Sequence, residues 1–218
     1  MNRIVIVGAG GFGREVLRYI LDTFEDDPSY AVKGFLDDAA RDITSFGLEV
    51  PVLGDIGSYA VEPGDRLVIA IGDVPTRLRL ADHFEARGAQ FLTVRHPLAY
   101  ISASARVGAG CIIAPFATVG AHAVIGDHSV LTFYASVGHD ARVGRSAVFS
   151  PHAVTNGMTT IGDGVFLGAH AVVNPLQSVG EGAKIAAGSV VYRPIPARTL
   201  AAGNPAKPRR AWSTPPEA

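Results

Sequence analysis

From Ile101 to Val191 an aliphatic or aromatic residue recurs every six positions without a slip in phase. The series is Ile101, Val107, Ile113, Val119, Ile125, Leu131, Val137, Val143, Phe149, Thr155, Ile161, Leu167, Val173, Val179, Ile185 and Val191. Fifteen of these sixteen positions are apolar, and Thr155 is the single lapse. The position four later is Ala, Ser, Cys or Thr in thirteen of the first fifteen hexads. Glycine often follows the apolar residue, as at Gly108, Gly120, Gly126, Gly138 and Gly144. A fixed period means stacked units. Six residues are too few for a helical repeat but suit one short strand plus a corner, and three such faces close a triangular coil. The apolar residue then points into the prism and the small residue fits a corner. Residues three hexads apart lie over one another at the ~4.8 Å strand spacing. A lone coil cannot bury its apolar side, so stability comes from stacking. A β-sandwich does not hold one phase over so long a run.

Residues 3–95 follow another rule. Arg3-Ile4-Val5-Ile6-Val7 reads as a buried strand ended by Gly8-Ala9-Gly10-Gly11-Phe12-Gly13. Arg14 to Thr23 reads as a helix, with Val16, Leu17, Ile20 and Leu21 on one face. Val32 to Leu36 and Leu67 to Ile71 are further strands. Pro75 to Arg87 is a second helix with Pro in its first turn and Gly88 past its end, and Phe91 to Val94 is a last short strand. Strand–helix alternation implies a parallel sheet with crossover helices. The expected organisation is an α/β Rossmann-like domain over 1–97, a β-helix over 98–196 and a C-terminal tail over 197–218. The formal net charge of −1 argues against a broad nucleic-acid footprint. No apolar run approaches the ~20 residues needed to span a bilayer. One cysteine, Cys111, excludes an intramolecular disulfide and a cysteine-based zinc cage. Cytoplasmic residence is the expectation.

Gly8-x-Gly10-x-x-Gly13 follows a strand and opens a helix, where backbone N–H groups approach a pyrophosphate. Asp37, at the end of the second strand, is placed to bind a ribose or sugar hydroxyl. NAD binding and a purely structural turn are the alternatives, although no second nucleotide-binding half follows. Among the seven histidines, His83 reads as a solvated helix residue and His96 as structural. His122, His128, His152 and His170 share the fourth place of their hexads and read as an outer or intersubunit polar surface. His152 and His170 should stack, but no third ligand accompanies them, so no metal is expected. His139 differs: it holds the third place of Val137-Gly138-His139-Asp140-Ala141-Arg142, and Gly157, three hexads on, should lie over it.

The hexads resemble those of the hexapeptide-repeat acyltransferases, which fold as left-handed parallel β-helices and usually form trimers. The order of the glycine loop, Phe35-Leu36-Asp37-Asp38, Ala70-Ile71-Gly72, His96-Pro97, the repeats and Ala202-Gly203-Asn204-Pro205-Ala206-Lys207 narrows the likeness. It is similar to the nucleotide-sugar N-acetyltransferases of the bacillosamine, perosamine and sialic-acid type. The resemblance implies acetyl-CoA as co-substrate and a UDP- or GDP-linked amino sugar, acetylated at a 4-amino group for surface glycan synthesis. It also implies a homotrimer with intersubunit sites. By match to the family motifs, Gly10, Gly11, Phe12, Asp37, Asp38, Ile71 and Gly72 bind the nucleotide sugar. His139 is the general base, Asp140 orients it and stabilises the imidazolium, and the Gly157 N–H meets the oxyanion. Ala169 and Ala187 contact the pantetheine arm, and Lys207, Arg209 and Arg210 meet the 3′-phosphate. Two positions depart from the family: a histidine often used for acetyl-CoA is Val148 here, and a common Asn is Thr132. An O-acetyltransferase of sialic-acid type and a non-catalytic sugar-nucleotide-binding trimer are the rival readings.

Overall fold

A computed structural model describes residues 1–39 and 43–211. The N-terminal domain runs β1 (Asn2–Val7), α1 (Gly11–Phe24), β2 (Tyr30–Leu36), β3 (Val52–Gly54), β4 (Asp65–Ile69) and α2 (Val74–Glu85). Its four strands are parallel, in the order β3-β2-β1-β4. The short β3 carries no sequence signal that set it apart. The expected third strand is shifted: β4 starts at Asp65 and stops before Ala70. Asp65 is hidden in a strand because its carboxylate accepts from the Tyr59 hydroxyl at 2.7 Å, the Glu62 N–H at 3.0 Å and Lys33 at 3.3 Å. The early end of β4 leaves Ile71 and Gly72 in a loop, where they can line a pocket. Asp73 caps α2 by accepting the Thr76 N–H at 3.0 Å.

The hexads supply five, six and five parallel strands to the three faces of a prism, one of which added rungs extend to eight strands. Strands pair three hexads apart throughout, as in Ile125↔Val143, Leu131↔Phe149 and Val137↔Thr155. First-place and fifth-place residues, from Ile113 and Ala117 to Ile185 and Val191, form one buried column. Every fourth-place residue from Gly110 to Gly188 has positive φ, at 53° to 66° in the non-glycine members. This left-handed backbone costs ~1 kcal/mol per non-glycine residue. Backbone bonds between coils offset it, as in Asp140 N–H to Ala121 C=O at 2.8 Å and Met158 N–H to His139 C=O at 2.9 Å.

The solenoid sheet reaches beyond its hexads at both ends. Phe91 makes only an isolated bridge to Leu67. The last expected N-terminal strand is instead β5 (Val94–Arg95), which pairs with Ile112–Ile113 and forms the first rung of the eight-stranded face. Thr199–Ala202 adds a parallel rung beside Lys184–Ile185, and Lys207–Ala211 returns antiparallel to it. The segment expected as a tail therefore folds as a hairpin up to Ala211, and residues 212–218 of it lie outside the described residues. The N-terminal domain sits over the eight-stranded face. The outward side chains Ile112, Val130 and Val148 join Val16, Tyr19 and Ile20 in one buried cluster. The chain is an α/β Rossmann-like domain followed by a left-handed parallel β-helix.

Candidate active site

His139 stands on the corner between the six-stranded and five-stranded faces, where Ser136–Val137 ends and Arg142–Val143 begins. Its side chain is 59% exposed, and Asp140 takes the left-handed corner position beside it. The His139 Nδ1 lies 2.8 Å from Asp140 Oδ2. A carboxylate accepts, so Nδ1 carries the proton and Nε2 keeps its lone pair free to act as a base. Gly157 lies across the ring on the next coil. A Cβ built on Gly157 would sit 2.4 Å from His139 Nε2, so only glycine leaves the imidazole this place. Among the described residues the Gly157 N–H has no partner, while its carbonyl accepts from Leu176 at 3.1 Å. A ring nitrogen with a free lone pair and an unpartnered backbone N–H thus adjoin on one corner, an arrangement able to take up a proton and to stabilise an oxyanion.

The lapse in the apolar series falls directly behind this turn. Thr155 is buried between Val137 and Val173, and among the described residues its hydroxyl has no partner. Asn156 braces the turn by donating from Nδ2 to Val173 C=O at 3.2 Å.

The glycine loop lies at the other end of the chemistry. Gly8 has φ of 105° and packs against Ile71. A Cβ on Gly13 would meet Gly8 O at 1.9 Å, so this glycine serves close helix–strand packing. Gly10 and Gly11 face open space, which leaves their backbone approachable. Asp37 Oδ2 accepts the Ala9 N–H at 2.8 Å and Oδ1 accepts the Ala39 N–H at 2.9 Å. Asp38 accepts the Ile56 N–H at 2.8 Å. Both carboxylates therefore brace neighbouring loops by accepting backbone N–H groups. Phe12 packs partly into the interdomain cluster. Arg14, which the sequence reading passed over, donates to Ala9 C=O at 3.2 Å and lies 3.7 Å from the Phe46 ring centre. Gly72 and Asp73 line a cleft of about 260 Å³ with Phe166 and Lys184 of the eight-stranded face.

Comparison with known proteins follows this division. The PglD N-terminal domain family matches residues 3–84, and the hexapeptide repeat of succinyl-transferase matches residues 158–193. Comparison with the curated proteins gives no match. A variant of perosamine N-acetyltransferase from Caulobacter crescentus, solved with CoA and GDP-perosamine, is 30% identical. The alignment covers 96% of this chain and 98% of that one, with a TM-score of 0.86. The chain belongs to the PglD-type, hexapeptide-repeat sugar N-acetyltransferases. The acetyltransferase domain of PglB from Neisseria gonorrhoeae is 28% identical, with coverage of 96% and 100% and a TM-score of 0.87. WeeI from Acinetobacter baumannii is 29% identical, with coverage of 96% and 100% and a TM-score of 0.84.

As a member of this family the protein is an acyltransferase, and the remaining positions named from the resemblance lie on a second corner, at the top of the prism and on the eight-stranded face. Ala169 and Ala187 stack three hexads apart on the corner between the eight-stranded and six-stranded faces, away from His139. Their N–H groups, like that of Gly157, have no partner among the described residues. Lys207, with Tyr192 and Arg193, lines a cleft of about 460 Å³ at the top of the prism, and Arg209 and Arg210 follow on the same exposed strand. Val148 faces the N-terminal domain, and the Thr132 hydroxyl donates to Phe149 C=O at 2.8 Å.

The histidines also divide. His96 is structural as expected, buried with Nε2 3.3 Å from Asp22. His83 is half-buried beside Phe84 rather than fully solvated. His128 does not join an outer polar surface: it is buried at 1% exposure, with Nε2 2.7 Å from Glu85. His152 and His170 do stack, at 4.6 Å, and Phe116 and Tyr134 extend the column at 5.0 and 4.8 Å. That four-ring ladder was legible in the three-hexad spacing but was not read from it. Among the described residues no cluster could hold a metal ion. Cys111 is buried, and desolvation pushes its thiol up to about 11, which leaves it unreactive.

Proposed function

We propose that this protein transfers the acetyl group of acetyl-CoA to a nucleotide-linked 4-amino-deoxysugar, in the cytoplasm and for surface glycan synthesis. The observation that carries the reading is His139, its Nδ1 held by Asp140 and its Nε2 beside the unpartnered Gly157 N–H. Acetyl-CoA supplies an activated acyl carbon as a thioester. His139 Nε2 accepts the proton that the sugar amine sheds as its nitrogen bonds to that carbon. The Gly157 N–H donates to the carbonyl oxygen as negative charge gathers there. Asp140 steadies the imidazolium, which returns the proton to the sulfur as the C–S bond breaks. The donor set suits acetyl-CoA: free N–H groups at Ala169 and Ala187 face the amide-rich arm, and Lys207, Arg209 and Arg210 offer cations to its phosphates.

Within one chain the parts lie on opposite sides of the prism. The N-terminal domain covers the eight-stranded face, and His139 is on the vertex opposite that face. The six-stranded face between the His139 corner and the Ala169–Ala187 corner is uncovered among the described residues and edged by apolar side chains. Leu98, Tyr100, Phe116, Tyr134, Met158 and Leu176 are exposed on it or at its edges. A second copy covering this face joins His139 of one chain to Ala169, Ala187 and the sugar pocket of another, and closed repetition gives the homotrimer.

Thiol release measured with acetyl-CoA and a panel of UDP- and GDP-linked amino and hydroxy sugars tests the reading. Turnover with an amino sugar supports it. Turnover with a hydroxyl acceptor alone marks an O-acetyltransferase, and no turnover across the panel marks a binding scaffold. His139→Ala should lower kcat by roughly 10²–10⁴. Gly11→Trp should raise the KM for the nucleotide sugar, because it fills the open side of the loop. A fully active monomer in light scattering would refute the shared site.

A further inference from the structure

Helix α2 carries a cation that the proposed chemistry does not use. Arg77 is fully buried, and among the described residues no carboxylate is bonded to it. Its Nε donates to the carbonyl of His128, on a solenoid corner. Its Nη1 donates to the carbonyls of Ile69, at the end of β4, and of Ile71 at 3.1 Å. Burial lowers the guanidinium pKa to about 10, so it remains charged near neutral pH. A buried charge is expensive, and a hydrophobic residue of similar volume would pack as well or better. The fork instead gathers three carbonyls from two domains, which no apolar side chain can do.

Each carbonyl belongs to a fixed neighbour. Ile71 packs on Gly8 of the glycine loop, where an added Cβ would come 2.9 Å from Ile71 Cγ1. Gly72 follows it and lines the cleft against Phe166 and Lys184. On the solenoid side the His128 ring is pinned by Glu85 at 2.7 Å and by the edge of Phe91 at 4.4 Å. Glu85 in turn accepts from Arg145 at 3.2 Å.

We infer that Arg77 is a positioning residue for the nucleotide sugar: it ties the Ile71–Gly72 loop to the solenoid corner at His128 and so sets the width of the cleft between the domains. The inference rests on the proposed function, in which that loop lines the sugar-nucleotide pocket. Lysine in its place keeps the charge but not the fork, and methionine keeps neither.

Calorimetric binding to the full chain, with acetyl-CoA and with GDP-perosamine and a UDP-linked 4-amino sugar as probes, separates this role from a general structural one. Arg77→Met should weaken nucleotide-sugar binding by at least about tenfold, the scale of a lost hydrogen bond to a charged group. Arg77→Lys should recover part of the loss. Acetyl-CoA affinity should stay within about twofold in both, because its groove is built from distant solenoid corners. Equal loss of both affinities, or loss of neither, overturns the inference. A wild-type protein that binds neither sugar probe overturns the proposed function and this inference with it. Wild-type binding retained in both variants overturns this inference alone. Hydrogen exchange on the wild-type protein does not depend on the variants folding. The sugar nucleotide should slow amides in residues 126–130 together with those in 70–74, and unchanged exchange in 126–130 overturns the link.

Discussion

Replacing Gly157 by alanine tests the proposed base with the smallest available change. The added Cβ would lie 2.4 Å from His139 Nε2 and 2.6 Å from Cε1. Ordinary contact is about 3.5 Å, so the imidazole must withdraw by about 1 Å. A misplacement of that size costs ~10²-fold in rate when geometry governs the step. The fold should not suffer. Gly157 is outside the left-handed region, so alanine adds no backbone strain, and the His139 side chain is 59% exposed and free to swing outward. Alanine also keeps the backbone N–H, so the oxyanion donor survives and the loss reports on the base. Steady-state thiol release should show kcat reduced ~10²-fold, with KM values near those of the parent and the Tm shifted by less than about 2 °C. The double variant with His139→Ala should lose little more than His139→Ala alone, because both act on one group. Parental kcat in a folded Gly157→Ala protein would refute the placement of Nε2 as the base. A loss that adds in full to that of His139→Ala would refute the shared cause.

Thr155→Val should raise stability by about 1 kcal/mol, read as a higher Tm, since it removes a buried hydroxyl that has no partner at nearly constant volume. Phe149→Ala should cost ~3–5 kcal/mol in denaturant unfolding, because the ring is fully buried on the prism axis and cannot be refilled by rigid neighbours. His128 makes stability sensitive to acid. Burial holds its pKa below the ordinary value, against the opposing pull of Glu85, and Arg77 and Arg145 face it with like charge. The unfolded chain then binds the proton more readily. The contribution is therefore complete above the unfolded pKa of about 6.5 and is lost as pH falls below it towards the folded value. Tm measured between about pH 5 and 8 should fall on acidification, and His128→Gln should flatten that slope; a Tm that rises on acidification would contradict the assignment.

Much of the active corner was written in the period. Once the hexads keep phase, His139 and Gly157 must lie on adjacent coils of one corner, whatever surrounds them, because parallel pairing repeats every three hexads. The same logic placed Cys111 in the buried column and stacked His152 on His170. The exceptions are equally physical. His128 shares the fourth place of His122 and His152, yet it is buried, because helix α2 brings Glu85 and Arg77 onto its corner. Nothing local sets Arg77 apart from other helix charges, and β4 begins earlier than its apolar run because Asp65 finds a partner in Lys33, 32 residues away, besides the nearby Tyr59.

The sequence by itself determined the prism, its rungs and the meeting of His139 with Gly157, since a repeat fixes each residue's neighbours through local spacing. Only the tertiary structure decided which face the N-terminal domain covers. That choice depends on outward side chains, and these do not repeat: Ile112, Val130 and Val148 make one face apolar enough to bury. It set the N-terminal domain on the face opposite the His139 corner and, among the described residues, left the six-stranded face uncovered.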